Sequence, residues 1–387
     1  MSGIVIVGGS YAANQVAASA RQNGFEGPIR ILSEEPVLPY QRPPLSKGFL
    51  SGETAEDKLP LRPASFYAEQ KIDVELNTRV ARIDRAAKCV EIADGRRIPY
   101  DKLALATGAR PRTLGLPGGL VLRSLADSKA LKDKLASASS VAIVGGGFIG
   151  LEAAAVCVKL GKKVTVIEAA ERLLARVFPP VMSEFMAAAH RSHGVDVRLG
   201  ADAKATLAEL KADIVIEAIG VVPNSELAKE AGLECANGII VDRFARTSDP
   251  DIVAAGDVAQ HPSSYSDTPI RLESVQNAMD QSRTAGATLA GKEVPYDAVP
   301  WFWSDQFDLR LQMCGLSAGH DAYCVRGDKA ANKFSVFYLK AGRIVAVDSV
   351  NASAEHMLAR KLVAGRVGCG VEQAADAAFD LKTLLAR

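Results

Sequence analysis

Residues 141–155 read VAIVGGGFIGLEAAA, and residues 4–17 read IVIVGGSYAANQVA. Each stretch is a short apolar run, followed by a turn of small residues and by a segment compatible with a helix. Continuous β-branched runs that lead at once into glycines and a helix are typical of a buried parallel strand beginning a βαβ unit. The sequence therefore predicts an α/β fold that contains this unit twice.

A second strand and an acid follow each glycine turn. Residues 29–32 lead into Glu34 and Glu35, and residues 164–167 lead into Glu168. An acid about 20 residues beyond the glycines can accept hydrogen bonds from a ribose hydroxyl, while the turn lets a phosphate sit at the helix N-terminus. Because turn, strand and acid occur together twice, the sequence predicts two Rossmann-like dinucleotide-binding domains and two bound dinucleotides.

The two turns differ in their glycines. The second has glycine at all three fingerprint positions, whereas the first keeps only Gly8. Ala13 is an accepted substitute, but Ser10 places a β-carbon where the backbone approaches the pyrophosphate, so this site is either roomier or uses the hydroxyl as a donor. The candidate residues are Gly8, Ser10, Tyr11, Ala12 and Ala13 in the first turn, and Gly145, Gly147, Phe148, Ile149 and Gly150 in the second.

Length and charge set the protein class. The chain has 387 residues, which is too long for one ordinary core. Its formal net charge of +1 provides no field of one sign that would favour nucleic acid or an anionic membrane. No basic leader with a cleavage site precedes the first strand, and no apolar stretch approaches the length of a membrane span. We therefore expect a cytoplasmic protein without nucleic-acid or membrane partners.

Two further segments indicate how the domains are arranged. Residues 102–111 (KLALATGARP) and 251–260 (DIVAAGDVAQ) each read as a short strand ending in glycine, and they bracket the second nucleotide unit. This arrangement resembles the glutathione-reductase-like flavoproteins, in which FAD occupies a split first domain and the inserted domain holds the nicotinamide cofactor. The predicted domains are residues 1–110 with 232–297 for FAD, 111–231 for NADH, and a C-terminal α+β domain of residues 298–387.

Five more segments, in chain order, give a closer resemblance. They are PYQRPPLSKGFLSGE (39–53), LRSLAD (122–127), AIGVVPN (218–224), RLESVQNAMDQ (271–281) and PWFWSDQ (300–306). Together they resemble the ferredoxin reductases of bacterial oxygenase systems, including putidaredoxin-reductase-like enzymes and the reductases of aromatic-ring dioxygenases. Because a proline pair fixes an extended backbone, residues 39–53 are predicted to form a rigid arm leading to Lys47.

The resemblance implies an FAD site. Arginine and lysine offset the pyrophosphate charge, and a carboxylate suits the ribose. Val80 and Val275 enter only through the resemblance. Besides the first turn, the implied residues are Glu34, Glu35, Arg42, Lys47, Val80, Ala106, Thr107, Gly108, Arg123, Gly256, Asp257, Glu273, Ser274, Val275 and Trp303.

Glu168 is the residue expected to contribute most to the discrimination between NADH and NADPH. Its carboxylate would bond the adenosine ribose 2′-hydroxyl and repel a 2′-phosphate, and Ala169 and Ala170 supply no arginine to receive one. NADH is therefore favoured over NADPH, although Arg172 and Arg176 lie close in sequence and leave NADPH open. The resemblance adds Glu152, Ile219 and Gly220 to this site.

Three residues are candidates for catalysis. Glu152 is expected in the first turn of its helix, where it either lies near the nicotinamide or simply favours the helix dipole. The resemblance pairs it with Lys47 near the hydride-accepting nitrogen of the flavin. Trp303 is either beside the flavin and toward the partner or part of an interdomain core. No metal site is predicted.

Absent residues define the reaction class. None of the six cysteines stands in a C-x-x-C or C-x-x-x-x-C spacing, and none falls within residues 39–47. The five histidines show no paired motif for acid–base work. A flavin can accept two electrons together and release them singly. The missing cysteines therefore favour single-electron release, and the resemblance implies an NADH:ferredoxin oxidoreductase whose [2Fe-2S] ferredoxin feeds a terminal oxygenase.

Rival functions remain open at this point. They are a rubredoxin reductase, an NADH oxidase and a flavoprotein similar to apoptosis-inducing factor, and the chain is either a monomer or a homodimer.

Residues 198–214 form a shorter segment than the β-meander that relatives usually have at this place. The C-terminal part is predicted to be an antiparallel meander with helices over residues 354–362 and 371–385.

Overall fold

The computed structural model describes residues 2–386, which form two compact units. The first unit contains the residues up to Gln41, Leu59–Arg110 and Val222–Pro300, and the second contains Arg42–Lys58, Pro111–Val221 and the residues from Trp301 onward. The second unit holds both the second glycine turn and the C-terminal segment, so the division into three domains stays a prediction.

The first unit is built on a five-stranded parallel sheet. The strands Ile4–Val7 and Ile29–Leu32 are short, mostly apolar and almost fully buried, as expected where helices cover both faces. In spatial order the five strands are Ile252–Ala254, Lys102–Leu105, Ile4–Val7, Ile29–Leu32 and Ile72–Glu75. The accompanying helices are Tyr11–Gln22, Ala64–Glu69, Glu226–Glu230 and Val275–Leu289.

Two small sheets complete the first unit. One contains Val80–Asp84, Cys89–Ile92 and Arg97–Pro99, and the other contains Cys235–Ala236, Gly238–Ile240 and Ala259–Gln260. Short strands also lie where the chain passes between the units, at Ala109–Pro111 and Val221–Pro223.

The second unit repeats the parallel architecture. Its sheet runs in the order Asp196–Arg198, Lys163–Ile167, Ser140–Val144, Ile214–Glu217 and Gly119–Leu120. The helices are Leu125–Leu135, Phe148–Lys159, Pro180–Ser192 and Ala203–Leu210, the last of which is N-capped by the Asp202 side chain. The predicted pair of Rossmann-like sheets is therefore confirmed.

The same unit also holds an antiparallel sheet, as predicted, but its order is not that of a meander. Leu309–Gly315 pairs with Arg343–Val350 instead of with the next strand along the chain. Arg343–Val350 is almost entirely buried and therefore takes a central position, while the more polar Ala322–Asp328 lies at an edge. The spatial order is Trp301–Gln306, Leu309–Gly315, Arg343–Val350, Lys333–Lys340 and Ala322–Asp328.

The C-terminal helices are shorter than predicted. Ser353–Ala364 agrees with the first prediction, but the second helix covers only Val371–Ala375, and the 3₁₀ turn Leu381–Ala386 follows separately. The Asp376 side chain accepts a hydrogen bond from the amide of Ala378 and so competes with the helical backbone. A single helix over residues 371–385 was therefore wrong.

The predicted extended arm is also wrong. Residues 42–58 contain the 3₁₀ turns Pro43–Ser46 and Glu56–Lys58 and the short helix Gly48–Ser51. The φ angle of proline suits the first turn of a helix as well as an extended chain. Here the Leu45 amide donates to the Arg42 carbonyl at 2.9 Å, which closes the turn. Among residues 2–386, no helix is long and apolar enough to cross a bilayer.

Candidate functional site

The first glycine turn, residues 8–13, joins a buried strand to the helix Tyr11–Gln22. Gly8 has a φ of 128°, and a β-carbon there would lie 2.1 Å from the carbonyl oxygen of Ala106, so only glycine fits. Ser10 is the N-cap residue with a φ of −136°, an extended conformation that any residue adopts. The departure at Ser10 therefore leaves the backbone of the turn intact.

The two acids after the second strand differ in their surroundings. Glu34 is exposed, whereas Glu35 is half-buried and its Oε2 accepts a hydrogen bond of 2.5 Å from the hydroxyl of Tyr40. Tyr40 is itself only 3% exposed. Glu35 is thus the more firmly fixed of the two candidate ribose ligands.

The loop of Ala106, Thr107 and Gly108 is held by a residue whose role sequence reasoning missed. Asn224 donates its side-chain amide to the Thr107 carbonyl at 2.9 Å and its backbone amide to the Gly108 carbonyl at 2.9 Å. In return, the Thr107 hydroxyl donates to the Asn224 carbonyl at 2.7 Å. Asn224 lay within the AIGVVPN segment, but nothing local indicated this partner.

The segment at Gly256 and Asp257 provides a test of the fit to FAD. Gly256 donates its amide to Oε1 of Gln281 at 2.8 Å, while Nε2 of Gln281 is buried with no hydrogen-bond partner. A buried donor of this kind calls for an acceptor that the described residues do not supply, and an oxygen-rich dinucleotide supplies one. The residues of this part of the first unit therefore fit FAD.

Neighbouring residues brace this segment. Arg271 donates to the Asp257 carbonyl at 2.9 Å and pairs with Glu273 at 2.8 Å. Ser274 caps the helix Val275–Leu289 by accepting from the amide of Asn277 at 3.0 Å.

The remaining implied FAD residues are divided between the units. Val80 is 6% exposed and belongs to the apolar core of the first unit. Arg42, Lys47, Arg123 and Trp303 fall in the second unit. The structure brings Arg42 and Arg123 together, since the Arg42 guanidinium donates to the Arg123 carbonyl at 2.9 Å.

The second glycine turn, residues 145–150, contains the complete fingerprint. Gly145 has a φ of 110°, and a β-carbon there would lie 2.4 Å from the Ala218 carbonyl oxygen. A β-carbon on Gly150 would lie 2.3 Å from the Gly145 carbonyl oxygen, so this glycine permits close packing of helix on strand. Gly147 is the N-cap of the helix Phe148–Lys159. This cradle of small residues fits a dinucleotide pyrophosphate.

Glu168 lies at this turn, as the ribose assignment requires. Its Oε2 accepts from the amide of Gly146 at 2.7 Å, and its Oε1 accepts from the amide of Ala170 at 2.8 Å. These two bonds fix the orientation of the carboxylate and leave lone pairs for a ribose hydroxyl.

The two nearby arginines differ. Arg172 is half-buried, and its guanidinium donates hydrogen bonds to the Ala175 carbonyl at 3.0 Å and to the Ser183 hydroxyl at 2.9 Å. Its guanidinium is therefore already occupied within the protein. Arg176 is exposed and lies beside Gly220, which has a φ of 99° and follows Ile219.

The structure brings Lys47 and Glu152 together, with Nζ 2.7 Å from Oε2. Glu152 is 2% exposed, and its carboxylate also accepts from the hydroxyls of Ser46 at 2.5 Å and Ser304 at 2.6 Å. The expected place in the first helical turn is wrong, because the helix begins at Phe148 and Glu152 is its fifth residue. A buried pairing with Lys47 accounts for this acid better than the helix dipole.

Trp303 is half-buried in a group of aromatic side chains. Its ring lies 5.6 Å from that of Trp301 and 6.4 Å from that of Phe302. Phe302 in turn lies 4.8 Å from Phe148 at the start of the nucleotide helix, and Arg360 stacks over Trp301 at 4.7 Å. These contacts connect Trp303 to the second glycine turn.

The cysteines are separate thiols. Six free cysteines occur, and five of them are buried. Burial raises the pKa of Cys157 and of Cys314 to about 12. Such thiols stay protonated at neutral pH, which is the opposite of a redox-active cysteine.

Two parallel sheets, each with a glycine turn and an acid placed for a ribose, define a protein that binds two dinucleotides. The pyridine nucleotide-disulphide oxidoreductase family matches residues 2–282, and the reductase C-terminal family matches residues 301–385. The chain belongs to the pyridine nucleotide-disulphide oxidoreductase family and uses FAD and a nicotinamide dinucleotide.

Individual relatives extend over almost the whole chain. Rhodocoxin reductase of Rhodococcus erythropolis is 44% identical, covering 99% of this chain and 94% of the relative. A ferredoxin–NAD(P)(+) reductase of Sphingomonas sp. is 45% identical, covering 93% and 92%. The solved covalent putidaredoxin reductase–putidaredoxin complex contains a chain with a TM-score of 0.93 and 38% identity, covering 99% and 98%. The resemblance to ferredoxin reductases is confirmed.

Proposed function

We propose that this protein takes a hydride from NADH onto FAD and passes the electrons singly to a [2Fe-2S] ferredoxin that feeds a terminal oxygenase. The observation that carries the proposal is the similarity, over nearly the full chain, to reductases named for rhodocoxin, ferredoxin and putidaredoxin. Likeness over both matched families includes the C-terminal segment, and so extends beyond dinucleotide binding alone.

The residues of the first unit are suited to hold FAD. Gly8 lets the backbone approach the pyrophosphate, Glu35 is fixed for the ribose, and the buried amide of Gln281 supplies a donor. Bound flavin supplies the chemistry of accepting two electrons together and releasing them one at a time.

The residues of the second unit are suited to hold and orient NADH. The glycine turn receives the pyrophosphate, and Glu168 accepts from the ribose hydroxyls and repels a 2′-phosphate. Glu152 is buried on the helix that begins at this turn, and its carboxylate pairs with Lys47 of the segment that contains the 3₁₀ turn Pro43–Ser46. We assign this pair to orienting the nicotinamide end of the cofactor for hydride transfer.

The cysteines favour single-electron exit. A disulfide relay needs a reactive thiolate, and burial keeps Cys157, Cys314 and Cys324 protonated by raising their pKa values to about 11 or 12. Electrons that enter the flavin are therefore expected to leave to an external one-electron carrier.

The test is NADH-driven reduction of a [2Fe-2S] ferredoxin and of a rubredoxin, followed by their visible spectra, with oxygen uptake measured in parallel. We expect fast reduction of the ferredoxin and slow oxygen uptake without a carrier. Preference for rubredoxin would replace the ferredoxin assignment, and fast carrier-independent oxygen uptake would make the protein an oxidase. We further propose a cytoplasmic monomer or homodimer.

A further inference from the structure

The carboxylate of Glu152 is almost fully enclosed by donors. Oε2 pairs with the Lys47 ammonium and accepts a hydrogen bond from the Ser46 hydroxyl, and Oε1 accepts a hydrogen bond from the Ser304 hydroxyl. Glu152 is 2% exposed, so these three groups replace water around the charge. A buried carboxylate is stable as an anion only when its oxygens are satisfied in this way.

The chain of hydrogen bonds continues beyond Ser304. Nε2 of Gln306 lies 3.0 Å from the Ser304 hydroxyl, and Oε1 of Gln306 lies 2.8 Å from Nε2 of His190. Ser304, Gln306 and His190 are each 1% exposed or less. The result is one buried path of side chains that runs from Glu152 to His190.

The ion pair fixes the direction of every bond along this path. An ionised carboxylate can only accept, so the single hydroxyl hydrogen of Ser304 points to Glu152. Ser304 must then accept from the amide nitrogen of Gln306, and the Gln306 oxygen faces His190. Nε2 of His190 therefore carries the hydrogen, and Nδ1 is a bare lone pair.

The surroundings of His190 agree with this tautomer. Nδ1 is buried and has no hydrogen-bond partner among residues 2–386, and the ring meets the Phe307 ring edge-on at 5.0 Å. Burial lowers the pKa of His190 to about 4, so the imidazole is neutral at physiological pH. A second proton on Nδ1 would place an unpaired charge in an apolar environment.

We propose that Ser304, Gln306 and His190 are positioning residues that hold the Glu152 carboxylate in one orientation toward the nicotinamide. Their strand and helix are Trp301–Gln306 and Pro180–Ser192. The assignment rests on the proposed function, because it takes Glu152 to act on bound NADH. It gives Ser304 and Gln306 of the PWFWSDQ segment a role that aromatic packing does not explain.

The positioning role separates two kinetic quantities. Most of the affinity for NADH comes from the glycine turn and Glu168, whereas Glu152 aligns the reacting end. Losing one hydrogen bond to a buried charge changes an equilibrium or rate about 10- to 100-fold. Ser304→Ala should therefore lower the limiting rate of flavin reduction by about tenfold or more and change the NADH dissociation constant by less than about twofold.

Ser335 provides a matched control. It is 0% exposed like Ser304, lies in the same antiparallel sheet, and donates its hydroxyl to Ser349 at 3.0 Å. Both alanine variants remove one buried hydroxyl, and Ser304→Ala should lose the more thermal stability of the two because its hydroxyl bonds a carboxylate. Only Ser304→Ala should slow flavin reduction.

The test uses the FAD-loaded enzyme and two readouts. Stopped-flow reduction by NADH alone gives the limiting rate and dissociation constant for Ser304→Ala, Gln306→Leu and Ser335→Ala. Side-chain ¹⁵N NMR of the histidines reports the His190 tautomer in the wild type and in Gln306→Leu. We expect the Nε2–H form in the wild type, a tautomer mixture in Gln306→Leu, and slow reduction in both network variants.

Two results would overturn the proposal. One is an Nδ1–H or charged His190 at neutral pH, which reverses the direction of the path. The other is a Ser304→Ala variant whose reduction rate matches that of Ser335→Ala. Because ferredoxin is absent from these measurements, a protein that fails to reduce ferredoxin would refute the proposed function without affecting them.

Discussion

Gly8 in the first glycine turn and Gly145 in the second have φ angles of 128° and 110°, and an added β-carbon would meet a carbonyl oxygen at 2.1 Å and 2.4 Å. At the next fingerprint position the two turns differ, since Ser10 stands where the second turn has Gly147. Both of these residues have negative φ, and the heavy atom nearest to a β-carbon on Gly147 is 4.0 Å away. The fold thus requires glycine at the first fingerprint position, whereas at the second position only the approach of the ligand favours glycine.

The third position separates the turns again. Ala13 is 0% exposed and keeps its β-carbon, whereas a β-carbon on Gly150 would lie 2.3 Å from the Gly145 carbonyl oxygen. In the second turn, Gly150 therefore lets the helix pack closely against the backbone of Gly145, at the end of the preceding strand. The two turns can therefore have different residues at the same fingerprint position, because each of the three glycines satisfies a different physical requirement.

The largest effect should come from Gly145→Ala. The new β-carbon collides with the Ala218 carbonyl and the backbone cannot relax to a negative φ, so we expect a loss of about 3 kcal/mol or more in unfolding free energy. Thermal melting measures it. Gly147→Ala is the control, with normal melting and weaker NADH binding. Equal melting temperatures for the two variants would refute the distinction.

A smaller effect should follow from Glu168→Gln. The variant loses the charge that repels a 2′-phosphate and that strengthens the bond to the ribose, so NADH binding should weaken about tenfold while NADPH binding improves. Steady-state reduction with both cofactors measures the ratio. Glu171→Gln, an exposed acid three residues on, serves as the control. An unchanged ratio in Glu168→Gln would show that discrimination lies elsewhere, with Arg176 the next candidate.

The smallest effect should come from Ser10→Gly. The extended backbone accepts either residue, so the variant changes only the β-carbon and the hydroxyl. We expect FAD affinity to change by less than about threefold, as judged by fluorescence titration of the apoprotein. A tenfold loss would instead mean that the hydroxyl donates to the pyrophosphate.

The features predicted correctly are those with a local signal. Strand, turn and acid recur within some 30 residues, so periodicity and spacing are sufficient to locate Gly8, Gly145 and Glu168. The shape of the arm was missed because proline fits both an extended chain and the first turn of a helix. The partners of Glu152 were missed because Ser304 is 152 residues away in sequence, and only tertiary packing brings it near.

The order of the antiparallel sheet was unpredictable for a related reason. Alternation identified its strands, but the pairing of Leu309–Gly315 with Arg343–Val350 depends on which strand can be buried on both faces. Hydrophobic pattern alone does not settle that competition.

The central claim is that a hydride brings two electrons to the flavin together and that these electrons leave one at a time. Anaerobic titration of the FAD-loaded enzyme and excess oxidised [2Fe-2S] ferredoxin with NADH tests it most directly. We predict two ferredoxins reduced for each NADH consumed, with the flavin oxidised again at the end. A flavin that stays reduced beside oxidised ferredoxin would contradict the account.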